Sequence, residues 1–373
     1  MALLVDAVLG AAGSWRSEWE VEHVLDVADA HRVTPALARV APGIAGAPAA
    51  LAAELHDVRT EQVLRHLTTL ADLRTLGEAL DGAGVAWVVV KGPVAAAASW
   101  PAPDMRDYLD LDVVVDPARL PEVLDVLDDV GARQLDLNWG LIRRQMRAEL
   151  SFVLPHGTVL DLHWHPVNDA RLRGALRWDV GALLARRRNV TVGSLSVPTL
   201  DAADTAVHMA YHAVHSGGYR LLWLADVAYA LAAADPAEVV GRATEARLGL
   251  MLAVGADRAA RVLGADLPGL AGVLSGPDLP DGAWRRALAA VDRRRAVPAP
   301  GVGGRSGRLR VSSTRWSTPT SAAALLAGAA AHVVLRRGAE RPDANPLHVP
   351  DGDLAARAAY LEGVRSSAQR PNG

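Results

Sequence analysis

Two aspartates separated by one residue give the first chemical signal in this chain. Asp110 and Asp112 stand at the head of the apolar run Leu109–Val115. On an extended strand, residues two apart point to the same face, so both carboxylates would share one face of the strand. Adjacent carboxylates repel each other unless a cation lies between them. Mg²⁺ suits such a pair because it prefers oxygen ligands and keeps positions open for phosphate oxygens, so the pattern predicts a metal-dependent site for phosphate chemistry.

A third carboxylate follows the same rule further along the chain. Asp161, His163 and His165 recur with a period of two, which places them on one face of a predicted strand. Three carboxylates on neighbouring strands suit a two-metal transfer site, since two metals about 3.5–4 Å apart can stabilise both the attacking and the leaving oxygen. Because His163 shares the face of Asp161, it could orient that carboxylate or bind the substrate.

The elements that must position these residues are predicted from periodicity and from breakers. Apolar runs predict strands at Val85–Val90 and Leu109–Val115. The segments Glu149–Leu154 and Thr158–Trp164 flank a Pro-His-Gly turn and predict a β-hairpin. Helical spacing dominates on both sides of these strands. We therefore expect an α+β fold, with a small mixed or antiparallel sheet packed against helices.

Breaks in the pattern divide the chain into five parts. Leucines at 67, 70, 73 and 76 form a stripe that predicts a core-facing helix. Between 297 and 320 the chain is rich in Pro, Gly, Ser and Thr. The expected parts are a helical N-terminal segment (1–80), a catalytic core with the sheet (81–197), a helical domain (198–296), a linker or loop (297–320), and C-terminal helices ending in a polar tail (321–373).

Composition limits the class of protein. A net charge of −3 over 373 residues argues against a dedicated binder of nucleic acid or of anionic membranes. The absence of cysteine excludes disulfides, thiolate metal sites and cysteine nucleophiles. The first residues lack a basic region and carry Asp6, and the apolar stretch Ala322–Leu335 is too short to span a bilayer. These features favour a cytoplasmic protein with no membrane partner.

One long string in the chain resembles a family signature. VVVKGPVAAAASWPAPDMRDYLDLDVVVDP, residues 88–117, is similar to the signature of the bacterial nucleotidyltransferase family 5 proteins, within the polymerase-β-like nucleotidyltransferase superfamily. The segments His31–Pro35, Val159–Trp164 and His208–Asp226 resemble further parts of the same pattern. The resemblance covers roughly residues 20 to 235, and the order and spacing of its pieces make it specific.

The resemblance implies a reaction and a metal site. Asp110 and Asp112 would bind Mg²⁺ (or Mn²⁺), and Asp161 would complete the metal site and help deprotonate an acceptor hydroxyl. The activity implied is the transfer of a nucleoside monophosphate from an NTP co-substrate to an acceptor, a small molecule or a peptide, in a biosynthetic or resistance pathway.

The same resemblance assigns the phosphate contacts. Lys91 and the backbone of Gly92 would meet the nucleotide phosphates, with Arg106 as a second phosphate clamp. Two positions depart from the family pattern. Pro93 stands where Gly or Ser is usual and removes one backbone N–H from a phosphate cradle. Leu109 stands where Gly is usual and could narrow the approach to the metal.

Other interpretations remain open. His208, His212 and His215 share a helix face and, with the two histidines of the predicted hairpin, could form the transition-metal site of a hydrolase. Packing in a polar seam, or bonding to Asp226, explains the same spacing. Arg106 could equally form a solvated ion pair with a neighbouring aspartate, Asp104 or Asp107. A nucleotidyltransferase fold that binds a ligand or partner without transfer is the remaining alternative.

Overall fold

The computed structural model describes residues 1–174, 176–267, 269–274 and 345–368. These residues form two compact units. One comprises residues 1–67, 91–108 and the described residues from 201 to 274; the other comprises 68–90, 109–200 and 345–368. The linker predicted at 297–320 and the apolar helix predicted at 322–335 lie outside the described residues.

The first unit is helical in its described residues. Polar N-caps fix where two of its helices begin. The Asp201 carboxylate accepts a hydrogen bond from the Asp204 N–H at 2.7 Å, and the Asp235 carboxylate accepts one from the Glu238 N–H at 3.0 Å. The helices Ala202–His215, Leu221–Ala232 and Gly249–Leu263 pack on one another through their apolar faces. Its helices are α1 (Ala2–Val8), α2 (Val21–Ala30), α3 (Thr34–Val40), the first part of α4 (Ala49–Gly82), α5 (Gly92–Ala98), α10 (Ala202–His215), α11 (Leu221–Ala232), α12 (Pro236–Glu245), α13 (Gly249–Leu263) and α14 (Leu270–Val273).

The second unit contains a mixed sheet of seven strands, in the spatial order β3-β4-β5-β2-β1-β7-β6. The strands are β1 (Trp87–Val90), β2 (Asp110–Val115), β3 (Arg133–Gln134), β4 (Glu149–Val153), β5 (Val159–His163), β6 (Arg188–Val192) and β7 (Leu195–Thr199). Besides the end of α4, this unit carries α6 (Leu120–Asp129), α7 (Trp139–Gln145), α8 (Ala170–Arg173), α9 (Val180–Ala185) and α15 (Leu354–Ala368).

The centre of the sheet follows directly from the residues of its strands. β1 is an uninterrupted apolar run and is buried along its whole length, as expected of a strand covered on both faces. It pairs antiparallel with β2 and parallel with β7. β2 in turn pairs parallel with β5, and β5 antiparallel with β4. The α+β fold and the mixed sheet are therefore confirmed, as are the strands expected near residues 85–90 and 109–115 and the hairpin at 149–164.

The hairpin of β6 and β7 was not predicted. Its two strands are joined by Gly193 and Ser194, and Gly193 has a positive φ of 59°. A two-residue turn with Gly first suits the right-handed twist of the flanking strands. Polar and apolar residues alternate from Thr191 to Val197 around this Gly-Ser pair, which is typical of a hairpin. Pro198 argued against a strand here, because proline is uncommon inside strands.

The leucine stripe of α4 is only partly a core face. Leu73 and Leu76 are buried, as predicted, whereas the prediction is wrong for Leu67, which is 57% exposed. The reason is length: α4 runs from residue 49 to residue 82, and its surroundings change along it, so one periodic face does not keep one environment.

The C-terminal helix α15 is anchored in the sheet unit by Tyr360. This side chain is fully buried; its hydroxyl donates to the Arg147 carbonyl at 2.7 Å and accepts from the Trp164 indole N–H at 2.8 Å. Burial raises the pKa of the Tyr360 phenol, which keeps it neutral. None of the helices in the described ranges combines the length and the apolar character that crossing a bilayer requires.

We predict that Tyr360→Phe lowers the free energy of unfolding by about 1–2 kcal/mol, because the carbonyl and the indole N–H lose a buried partner while the packing volume is kept. Urea unfolding followed by tryptophan fluorescence measures the change. An unfolding midpoint equal to that of the wild type would show that Tyr360 does not anchor α15 through its hydroxyl.

Candidate active site

The three predicted carboxylates lie on one face of the sheet. Asp110 and Asp112 belong to β2, and the parallel register pairs Asp112 directly with Asp161 of β5. Paired residues on adjacent strands project to the same face, and so do residues two apart on one strand. The apolar residues between them, such as Leu111, are fully buried on the opposite face. The register thus brings together acidic groups that are about fifty positions apart in the chain.

The environment of Asp161 disfavours its ionised form. The pKa of this carboxyl is raised to about 6, first by burial and then by the negative charges of Glu149 and Asp112. Two contacts oppose the rise: the charge of His163, and the Ser151 hydroxyl, which donates to Asp161 Oδ1 at 2.8 Å. A carboxyl with a pKa near neutrality can both accept and hold a proton at physiological pH.

His163 bonds to Asp112 of the neighbouring strand. Its Nε2 lies 3.1 Å from Asp112 Oδ1, and both side chains are buried, Asp112 with 4% of its surface exposed. The ring reaches this carboxylate diagonally across the parallel register. The two roles that the sequence left open for His163, orienting Asp161 or binding the substrate, stay predictions.

Glu149 is a fourth acidic residue of this face that sequence reasoning missed. It lies on β4 directly opposite His163 in the antiparallel register, and its Oε2 is 3.8 Å from His163 Nδ1. The signal was present, since Glu149 and Ser151 alternate with the buried Leu150 and Phe152. It was overlooked because a glutamate at the start of a strand also fits a solvated edge.

Lys91 and Gly92 form a strained turn directly after β1. Lys91 has φ 58° and ψ −138°, and Gly92 has φ 37°. Positive φ is costly for a residue with a Cβ, so the turn persists only because its surroundings impose it. Pro93, in the first turn of α5, is buried, whereas Leu109 is 50% exposed just before β2. The turn belongs to the helical unit and the carboxylates to the sheet unit.

Arg106 is a buried ion-pair partner of Asp226 rather than a solvated side chain. Its Nε and Nη2 donate to the two carboxylate oxygens of Asp226 at 2.7 and 2.8 Å, and Arg106 is 4% exposed. Trp100 donates its indole N–H to the same carboxylate at 2.8 Å, and Arg106 Nη1 reaches the Gly92 carbonyl at 3.3 Å. The expected alternative partner, Asp104 or Asp107, is therefore wrong: those carboxylates pair with other arginines. The geometry favours a structural role, and a direct phosphate contact of Arg106 stays a prediction.

The histidines of α10 pack against aromatic rings. His215 stacks on Tyr211 with ring centroids 5.2 Å apart, and His212 meets the edge of Trp223 at 5.7 Å. In the other unit, His165 Nδ1 accepts the Val167 N–H at 2.9 Å, and burial lowers the pKa of its ring to about 3. No three His, Asp or Glu side chains in the described ranges form a group arranged to hold a metal ion.

The carboxylate face nevertheless fits a divalent cation in its donor chemistry. Asp110, Asp112 and Asp161 supply only oxygen ligands, and the pKa of Asp161 is raised by burial and then by the charges of Glu149 and Asp112. A cation would relieve the repulsion between these charges. Mg²⁺ is commonly held by one or two carboxylates together with substrate phosphates, so a complete cage of protein ligands is not required.

We predict that Asp161→Asn stabilises the metal-free protein at alkaline pH. Because the folded-state pKa is raised from 3.8 to about 6, protonation of Asp161 favours the folded state below about pH 4, and this stabilisation is lost as the pH rises through 6. A neutral asparagine keeps an acceptor for Ser151 and avoids that loss, by about 1–3 kcal/mol at about pH 8. Urea unfolding in a chelator, from about pH 5 to 8, measures the difference. The exposed Asp125→Asn of α6 is the control, and a gain independent of pH would contradict the account.

We predict that Asp226→Asn lowers the free energy of unfolding by about 3–5 kcal/mol, because it leaves the buried Arg106 charge uncompensated. The double variant Arg106→Met/Asp226→Leu should lose less than the sum of its single changes. Asp257→Asn, which breaks the exposed Arg261–Asp257 pair of α13, is the matched control and should cost less than about 1 kcal/mol. Additive single effects, or a loss as small as that of the control, would overturn the buried-pair assignment.

Comparison with known proteins gives one extensive match. The family model described as "Uncharacterised nucleotidyltransferase" matches residues 17–264. No curated protein matches the chain at a significant level. Among solved structures, the chain is similar to that of "Antibiotic-Resistance Factor ANT(2'')-Ia", with 13% identity and a TM-score of 0.30, over 61% of this chain and 97% of that chain. A TM-score this low establishes neither fold nor substrate. The family match covers well over half of the residues and includes every carboxylate described above, and the chain therefore belongs to this nucleotidyltransferase family.

Proposed function

We propose that this protein transfers a nucleoside monophosphate from an NTP to an acceptor hydroxyl in a reaction that depends on Mg²⁺ or Mn²⁺. The observation that carries the proposal is the parallel register of β2 and β5, which pairs Asp112 with Asp161 on the face that also bears Asp110. Membership of a nucleotidyltransferase family supports the type of reaction. Family membership alone does not identify the metal, the nucleotide or the acceptor, and these are our proposal.

The carboxylates have different roles in this proposal. Asp110, Asp112 and Asp161 would be the oxygen ligands of the cation, which when bound would neutralise charge on the phosphate oxygens and on the leaving pyrophosphate. Asp161 would also be the general base. Its pKa of about 6 leaves it mostly ionised at neutral pH, yet basic enough to take the proton of an acceptor hydroxyl held within hydrogen-bond reach. Ser151 holds one oxygen of Asp161 and so limits its rotation.

The phosphate contacts rest on the family pattern. Lys91 and the backbone of Gly92 are proposed to bind the nucleotide phosphates. Arg106 supports this turn indirectly, because its guanidinium is fixed by Asp226 and donates to the Gly92 carbonyl. Rigid positioning of phosphate groups supplies much of the rate enhancement in phosphoryl and nucleotidyl transfer.

The acceptor is proposed to be a small molecule or a peptide. The net charge of −3 gives no positive field to attract a nucleic acid, whose binding requires clustered lysine and arginine. Hydroxyl groups on such an acceptor would lose their proton to Asp161 as the bond to the α-phosphorus forms and pyrophosphate leaves.

A second candidate is a family member that binds a nucleotide without transferring it. Asp112 is almost fully buried, and Pro93 removes an N–H from the turn after β1. Both features would weaken productive metal and phosphate binding. By contrast, no observation on the described residues favours the histidine-metal hydrolase, and His212 and His215 pack against aromatic rings.

We predict that Asp110→Asn and Asp112→Asn each lower Mg²⁺-dependent pyrophosphate release from NTP by at least about 100-fold, because each removes an anionic ligand of the cation that would neutralise charge in the transition state. The assay pairs each NTP with a panel of small molecules and peptides that carry hydroxyl groups. Asp116→Asn is the matched control, since this aspartate directly follows the same strand and caps the next turn; it should keep wild-type turnover.

Full turnover in either variant would defeat the assignment of these carboxylates. Isothermal titration of the wild-type protein with NTP and Mg²⁺ separates the two candidate functions. Heat of binding without pyrophosphate release under any acceptor would favour the second candidate.

A further inference from the structure

We propose that Glu149 and His163 form a positioning pair that fixes the Asp112 carboxylate for cation binding, with Glu149 acting on Asp112 through the histidine. The inference rests on the proposed function and adds two residues to its site. His163 was expected to contact a ligand or Asp161, and Glu149 was not expected at all.

The first link is the bond between His163 and Asp112. An ionised carboxylate can only accept hydrogen bonds, so His163 Nε2 is the donor across the 3.1 Å that separates it from Asp112 Oδ1. Both side chains are buried, so water competes little for this bond. The bond fixes the rotation of the Asp112 carboxylate about its last torsion, which is otherwise broad.

The second link is the contact of Glu149 with the other side of the ring. Glu149 Oε2 lies 3.8 Å from His163 Nδ1, an ion-pair distance that is too long for a hydrogen bond. The antiparallel register places Glu149 directly opposite His163. The Glu149 carboxylate on this side holds the imidazole plane between the two carboxylates.

Glu149 is itself held in place by two donors. The Arg147 guanidinium donates to its Oε1 at 3.0 Å, and the Asn168 amide donates to its Oε2 at 3.1 Å. Asn168 is in turn fixed, because its Oδ1 accepts the Ala148 N–H at 3.0 Å. With both carboxylate oxygens bound to protein donors, Glu149 is equipped to orient His163 and poorly equipped to act as a further ligand of the cation.

Such supporting contacts commonly decide the affinity of a metal site. A carboxylate that rotates freely must lose that freedom when the cation binds, whereas an oriented one has lost it already on folding. Removing an outer partner of a metal ligand typically costs about 10- to 100-fold in metal affinity or activity. The pair should therefore act on cation affinity and turnover, with little effect on the affinity for the nucleotide base and sugar.

Two substitutions of His163 separate its two ring nitrogens. Glutamine places an amide nitrogen close to the position of Nε2, so His163→Gln can keep the donor to Asp112. Asparagine is shorter and replaces only the Nδ1 position, so His163→Asn loses that donor. His156→Asn is the matched control, because His156 lies in the turn of the same hairpin and bonds to Asp72 at 2.9 Å, in another histidine–aspartate pair of the sheet unit.

The test measures Mn²⁺ binding by electron paramagnetic resonance and steady-state turnover on each full-length variant. His163→Asn should raise the Mn²⁺ dissociation constant about 10- to 100-fold and lower kcat, with KM for NTP within about twofold of the wild type. His163→Gln should recover most of the Mn²⁺ affinity, and His156→Asn should not change it. Glu149→Gln should weaken Mn²⁺ binding less than His163→Asn, and should add nothing when combined with it.

Three results would overturn the positioning pair. Equal Mn²⁺ affinity in His163→Asn and the wild type would show that the bond to Asp112 does not matter to the cation. Equal losses in His163→Asn and His163→Gln would show that the amide donor does not replace the ring. Additive losses from Glu149→Gln and His163→Asn would make Glu149 an independent ligand. If Asp112→Asn also leaves turnover intact, the proposed function itself fails; if Asp112→Asn alone abolishes it, only the pair fails.

Discussion

The parallel pairing of β2 with β5 is the constraint on which the candidate site depends. A strand can bring two of its own carboxylates to one face, but only a fixed register sets a third beside them. Here Asp112 faces Asp161 across the ladder, and a slip of one residue would move Asp161 to the apolar side. The apolar alternation of both strands prevents that slip, because it would bury the charges and expose the core residues. Core packing therefore enforces the proximity of like charges.

Buried charges occur in two kinds of environment among the described residues, one internally paired and one with several like charges close together. The Arg106–Asp226 pair satisfies its charges internally, with both carboxylate oxygens bonded and the indole of Trp100 added, and such closure suits a structural element. On the sheet face, by contrast, Asp112, Glu149 and Asp161 lie close together, and burial together with the charges of Glu149 and Asp112 raises the pKa of Asp161. Uncompensated repulsion of this kind is characteristic of functional sites, where a substrate or cation completes the balance.

The sequence predicted well what a short period encodes. The alternation of Asp161 and His163 with apolar leucines predicted which residues of β5 share a face of the sheet, and the spacing of Asp110 and Asp112 did the same for β2. Long-range partners left no such trace: Arg106 and Asp226 are 120 positions apart, and nothing local distinguishes that pair from Arg106 with an adjacent aspartate. Glu149 was missed although it alternates with buried residues as a strand residue should, because the sequence of one strand does not reveal which residue of the neighbouring strand it faces. The wrong prediction that Leu67 is buried has a different cause. A periodic leucine stripe shows which residues share one face of a helix, but not whether another element packs on that face.

The central claim is that carboxylates from two strands hold one divalent ion beside the nucleotide phosphates. A crystal structure of the wild-type protein with a non-hydrolysable NTP and Mn²⁺ tests it most directly, because manganese is located by its anomalous scattering. The account predicts an anomalous peak in contact with carboxylate oxygens of Asp112 and Asp161 and with a phosphate oxygen. A nucleotide bound with its manganese away from both aspartates would contradict it.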